Sequence, residues 1–125
     1  MTLYLTPQEL LARVHIGKPV EQWLSYVREA DYTVIKWIVI DHEENQFSLT
    51  YLESFDEGDE EFYDVHEFSV TDPEDEPYGT THLFDSVEAA VTFAIENYGA
   101  SADKFVAFAM IEKEYQKYLL ERPRF

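Results

Sequence analysis

The residues in this chain able to do chemistry are carboxylates and imidazoles, and they crowd into "SFDEGDEEFYDVHEF" (54–68), where seven of fifteen residues are acidic. Three chemistries compete for such a stretch. Calcium is one. An EF-hand loop needs oxygen ligands at its positions 1, 3 and 5 before the glycine at 6. Counting back from Gly58 puts Phe55 at position 3, so that pattern fails. A transition metal is the second, because it wants histidine converging with histidine or carboxylate. Asp64 and His66 are two apart, which places both on one side of an extended chain, and His42 is the third candidate ligand. Acid–base catalysis is the third. It requires a carboxylate whose pKa is shifted by burial or by a close like charge. The acids are too numerous for the sequence to single out such a pair. No nucleophile elbow, phosphate loop or dinucleotide fingerprint is present.

A different use of the same stretch is recognition. Aromatic rings set among charges of one sign steer a basic partner and then anchor it. On this reading the binding residues are Phe55, Asp56, Glu57, Asp59, Glu60, Glu61, Phe62 and Asp64, within an acidic region 41–76. The expected activity is that of a protein-binding module, an inhibitor or immunity-type partner of a basic protein, without cofactor and without catalysis. A small metal protein or hydrolase using His42, Asp64 and His66 is the rival. A structural subunit that self-associates is a third reading.

Charge bounds these alternatives. The 125-residue chain carries a formal net charge of −17. Its bases lie at the ends: Arg13, Lys18, Arg28 and Lys36, then Lys104 onward, with neither Lys nor Arg from 37 to 103. Phosphate backbones and anionic membranes both need clustered cations, so neither nucleic acid nor a lipid surface is an expected partner. With 16% aromatic residues the chain buries a core despite its acidity. It has no cysteine, which removes disulfides and thiolate chemistry. It has no run of apolar residues long enough to span a bilayer, and its first residues do not form a secretory signal. A single cytoplasmic domain over 1–125 is the expectation.

The elements that must position these residues follow from periodicity. "TPQELLARV" predicts a helix with a Thr6–Glu9 capping box and Gly17 as its stop. In "PVEQWLSYV", Val20, Trp23, Leu24 and Val27 fall at helical spacing and predict a second helix. "YTVIKWIVI" is apolar on both alternating sets and predicts a strand covered on both faces. "QFSLTYLESF" and "EFYDVHEFSV" predict two more strands, the latter with a bulge at His66–Glu67 and the turn between them made at Gly58 through a positive φ. Residues 71–79 read as a loop and "TTHLF" as a short fourth strand. "DSVEAAVTFAIENYG" predicts a helix capped by Asp85 and Glu88, buried along Val87, Val91, Ala94, Ile95 and Tyr98, and ended by Gly99. A last helix is expected from Ser101 or Asp103 to about Glu121, before Pro123, with "FVAFAMI" (105–111) read either as its buried first half or as a short strand. The expected fold is therefore α+β: a three- to four-stranded antiparallel meander with two N-terminal and two C-terminal helices, ααβββ(β)αα.

Overall fold

A central strand that is apolar on both sides needs cover on both sides, and the structure supplies it. The computed structural model describes residues 3–59, 61–69 and 80–121. The order is α1 (Pro7–His15), β1 (Val20–Arg28), β2 (Thr33–Glu43), β3 (Gln46–Phe55), a 3-10 turn (Val65–Glu67), β4 (Thr80–Phe84), α2 (Val87–Tyr98), β5 (Val106–Ala107) and α3 (Ile111–Glu121). The strands form one five-stranded sheet in the order β4-β3-β2-β1-β5, and every pairing is antiparallel. Among the described residues the fold is thus α+β with three helices, one N-terminal and two C-terminal, in place of two and two.

The alternation along β2 divides the core. Ile38 and Ile40 face α1 and α2, packing with Leu10, Val14, Val87, Ala90 and Ala94. Ile35 and Trp37 point the other way, into a second cluster with Val65, Phe68 and the α3 residues Ile111, Tyr115, Tyr118 and Leu119. The first face is roofed by two helices. The second is roofed by α3 and by the acidic stretch itself.

Three expectations are corrected, each for an identifiable reason. The segment expected as a second helix is strand β1. Its register with β2 slips between Trp23 and Ser25, leaving Leu24 as the extra residue of a bulge. The slip puts Trp23 opposite Trp37 and Tyr26 opposite Ile35. Two residues three apart thereby share a face, which is also what a helix would do. The strand expected over 61–70 is not one among the described residues. Val65 and Phe68 are both buried because a 3-10 turn repeats every three residues, and this period is what shifted the apolar parity. Residue 70 and the loop 71–79 lie outside the described residues. Finally, the last helix starts at Ile111 and not near Ser101. "FVAFAM" instead supplies β5 and a turn in which Ala109 is left-handed at φ 73°.

Other expectations hold in whole or in part. The Thr6–Glu9 capping box is formed, and Gly17 beyond α1 is left-handed at φ 81°. "TTHLF" is strand β4, paired with β3. Helix α2 ends at left-handed Gly99, but its cap is Ser86, whose hydroxyl accepts from the Ala89 N–H, and not Asp85. The helix buries Val87, Ala90 and Ala94 and leaves Ile95 exposed. Two alanines in the stripe let its backbone approach the sheet. Pro123, expected to end the last helix, lies outside the described residues.

Candidate functional site

The acidic stretch crosses the second face of the sheet, and most of its carboxylates are spent in holding it there. Asp56 follows β3. Its two oxygens accept from the Tyr115 hydroxyl at 2.5 Å and the Tyr118 hydroxyl at 2.7 Å, which ties the stretch to α3. The Glu57 carboxylate accepts from the Ser69 N–H at 2.5 Å, closing the loop at its far end. Asp59 accepts from the N–H groups of Glu61 at 2.8 Å and Phe62 at 3.0 Å. Asp64 caps the 3-10 turn by accepting from the His66 N–H at 3.1 Å. Short acidic side chains favour such local bonds, which compete with strand pairing. This is the physical reason the stretch is a stapled loop and not a third strand of a meander.

Gly58 serves a purpose other than the expected one. It is not among the left-handed residues. A Cβ at this position would lie 2.2 Å from the Phe62 carbonyl oxygen and 2.5 Å from the Phe68 ring. Glycine is required because the loop folds onto itself, not because of its φ.

The centre of the loop carries an arrangement the sequence did not reveal. Glu21, on β1, points into the second face between Trp23 and the β5 turn and is 0% exposed. One of its oxygens accepts from the Ala109 N–H at 2.8 Å. The other meets Nε2 of His66. The second ring nitrogen of His66, Nδ1, meets the Asp64 carboxylate at 3.1 Å. Trp37 packs edge-on against the imidazole, and Phe108 covers it from outside at 5.0 Å. Trp37 is itself fixed by donating from Nε1 to the Ser54 hydroxyl at 3.1 Å.

A carboxylate at each nitrogen calls for a ring that donates from both, which is the imidazolium. The His66 pKa is correspondingly raised. The hydrogen bond with Glu21 is the largest cause, burial opposes it, and Asp64 adds to it. In this state the ring has no lone pair with which to accept a proton. The arrangement in this state neutralises a buried carboxylate.

The candidate metal ligands are divided by the sheet. His66 and Asp64 are together on the second face. His42 shares the parity of Ile38 and Ile40, stacks on Phe47 and places Nδ1 3.2 Å from the His15 carbonyl oxygen, on the first face. Among the described residues no group of three or more His, Cys, Asp or Glu side chains is arranged to hold a metal ion.

Of the residues expected to bind a partner, Asp56, Glu57, Asp59 and Asp64 are engaged internally as described. Phe55 ends β3 and packs edge-on to Tyr32 at 5.5 Å. Glu60 lies outside the described residues. Glu61 is exposed, and Phe62 is 41% exposed beside Phe68. Two further exposed residues join them on this side: Glu67, and Phe108 at 54% exposure.

A second polar cluster also went unread in the sequence. Tyr51 and Tyr98 stack at 4.5 Å with the Tyr51 hydroxyl donating to Glu53 at 2.6 Å, while the Tyr98 hydroxyl and His82 Nε2 are 2.8 Å apart. Burial, aided by Glu53, pushes the Tyr51 hydroxyl pKa upward, and burial does the same at Tyr98. Between α1 and α2 there is a cleft of about 210 Å³ lined by Leu10, Leu11 and Val91, with Glu88 and Thr92 at its wall. It lacks the convergent polar groups that orient a small ligand.

Among the described residues no helix is long and apolar enough to cross a membrane. No protein-family model matches the chain, and neither a curated protein nor a solved structure is found to be similar to it.

Proposed function

We propose that this protein acts by binding another protein with a basic surface, through the outer side of the loop 56–69 and the adjoining turn 107–110. The observation that carries the reading is that the loop and the turn expose two rings, Phe62 and Phe108, and the carboxylates of Glu61 and Glu67, on a chain of net charge −17. Carboxylates in this position raise the encounter rate with a cationic partner, and rings that become buried on contact slow its release. Occupying the polyanion-binding face of a basic enzyme is one use of such a surface. The loop suits the task because its internal carboxylates fix it before any partner arrives, which lowers the ordering cost of association.

The test uses the immobilised protein to capture partners that elute with salt, which mass spectrometry identifies and which are then purified. Rebinding is measured against the Glu61→Lys/Glu67→Lys double variant and against Phe62→Ala. Charge reversal is expected to slow association and flatten its salt dependence. Truncation of Phe62 is expected to speed dissociation about tenfold or more. Binding indifferent to salt and to all three substitutions overturns the reading.

A further inference from the structure

Glu21 poses a problem that the protein-binding reading does not touch. A carboxylate at 0% exposure is tolerated only when paired and hydrogen-bonded. Its two partners come from segments distant in the chain: His66 lies 45 positions away and Ala109 lies 88. Neither lies in an α-helix or a strand. His66 belongs to the 3-10 turn of the loop, and Ala109 holds the left-handed conformation at φ 73°. That conformation is strained for a residue with a Cβ. The Ala109 N–H reaches Glu21 from it.

We propose that His66 is a proton-operated pin: in its doubly protonated form it clamps the turn Asp64–Glu67 and the β5–α3 turn onto the sheet through Glu21, and loss of the ring proton releases both. The groups facing the ring identify the proton as the operating variable. From β1 it meets the Glu21 carboxylate, and from its own turn the Asp64 carboxylate. From β2 it meets Trp37 and from the β5–α3 turn Phe108, neither of which carries a charge. No cation among these neighbours can take over when the imidazolium is lost. The neutral ring donates from only one nitrogen, so one carboxylate is left facing a lone pair. Whichever nitrogen keeps its proton, the buried Glu21 carboxylate has lost its counter-charge, and local opening that admits water is the remaining way to solvate it. His66, with a quarter of its side chain already exposed, is placed for that opening. The ends of the loop are held separately, by Asp56 on the α3 tyrosines and by buried Phe68. The release is therefore confined to the middle of the loop and the facing turn. The raised pKa of His66 places the change on the alkaline side of an ordinary histidine.

Amide hydrogen exchange reads the pin directly, since four N–H groups report on it: His66, Glu67 and Phe68 in the 3-10 turn, and Ala109 on Glu21. After correction for intrinsic exchange, these four are expected to lose protection together as pH rises through the His66 pKa, up to tenfold per pH unit, while β2 and β3 amides do not. In His66→Gln the four are expected to be weakly protected at every pH. An NMR titration of His66 in the unaltered protein supplies the pKa without any variant. A His66 pKa at or below that of free histidine overturns the proposal. So does protection of the four amides that stays level across the His66 titration, or that falls in the same way in His66→Gln.

Discussion

Tyr115 of α3 donates its hydroxyl to Asp56 at 2.5 Å, across 59 positions of sequence, and Tyr118 donates to the same carboxylate from the next turn of the helix. The helix and the acidic loop that together roof the second face of the sheet are thus joined at one carboxylate. Hydrogen bonds to a charged acceptor contribute about 1.5–3 kcal/mol each. Asp56→Ala is expected to destabilise the protein by about 3 kcal/mol in urea unfolding, and each Tyr→Phe change by about 1–2 kcal/mol. A double-mutant cycle between Asp56 and Tyr115 should give a coupling above about 0.5 kcal/mol. Strictly additive effects would show that the bond contributes nothing.

Gly58→Ala tests why glycine occupies the loop. With the Phe62 carbonyl 2.2 Å from the would-be methyl group, the expected cost is about 2–3 kcal/mol. Gly17→Ala, in open space but left-handed at φ 81°, should cost about 1 kcal/mol by backbone strain alone. Denaturant midpoints of the two variants separate steric crowding from strain. Equal costs would contradict the assignment.

Stability should depend on pH through His66 in a direction fixed by its neighbours. Its folded pKa is raised above the ordinary histidine value of 6.5. The folded state therefore binds the proton more tightly, and the stabilisation is fully present below the unfolded-state value. It is lost as pH rises through the folded pKa. Unfolding curves collected from neutral to alkaline pH should show this decline in the unaltered protein and not in His66→Gln. A decline of equal size in both would assign it to other groups.

The start of α2 offers a narrow choice between neighbours. Ser86→Ala removes the side chain that accepts from the Ala89 N–H and should cost about 1 kcal/mol. Asp85→Ala, one residue earlier, should cost less than about 0.5 kcal/mol. Thermal unfolding of the pair decides which residue is the cap.

Local signals carried the parts of this fold that depend on one segment alone. The two alternating apolar sets of "YTVIKWIVI" announce a strand covered on both faces, and the capping box and Gly17 delimit α1. The β1 segment misled because a bulge at Leu24 makes a strand repeat at three, as a helix does. The loop misled for a related reason, since its buried Val65 and Phe68 follow a 3-10 period within a stretch rich in aromatic residues. The site was half legible. The two-residue spacing of Asp64 and His66 does bring them side by side, but through the cap of a 3-10 turn and not on a strand face. Glu21 has no signature of its own, because nothing in "VEQW" distinguishes a buried acid on a strand from a solvated one on a helix. Only the arrival of His66 and Ala109, from far along the chain, makes its burial tolerable.

The order in which this chain leaves a ribosome acquires meaning from β5 and α3. The first three strands and both first-face helices are encoded before residue 100, whereas Ile111, Tyr115, Tyr118 and Leu119 come last. A nascent chain that has paired β1, β2 and β3 therefore holds Ile35 and Trp37 on a face whose helical roof is not yet made. During that interval the half-built protein offers a sticky apolar sheet to its neighbours. The dense acidity of residues 41–76, already emerged by then, gives such chains mutual repulsion while they wait for α3.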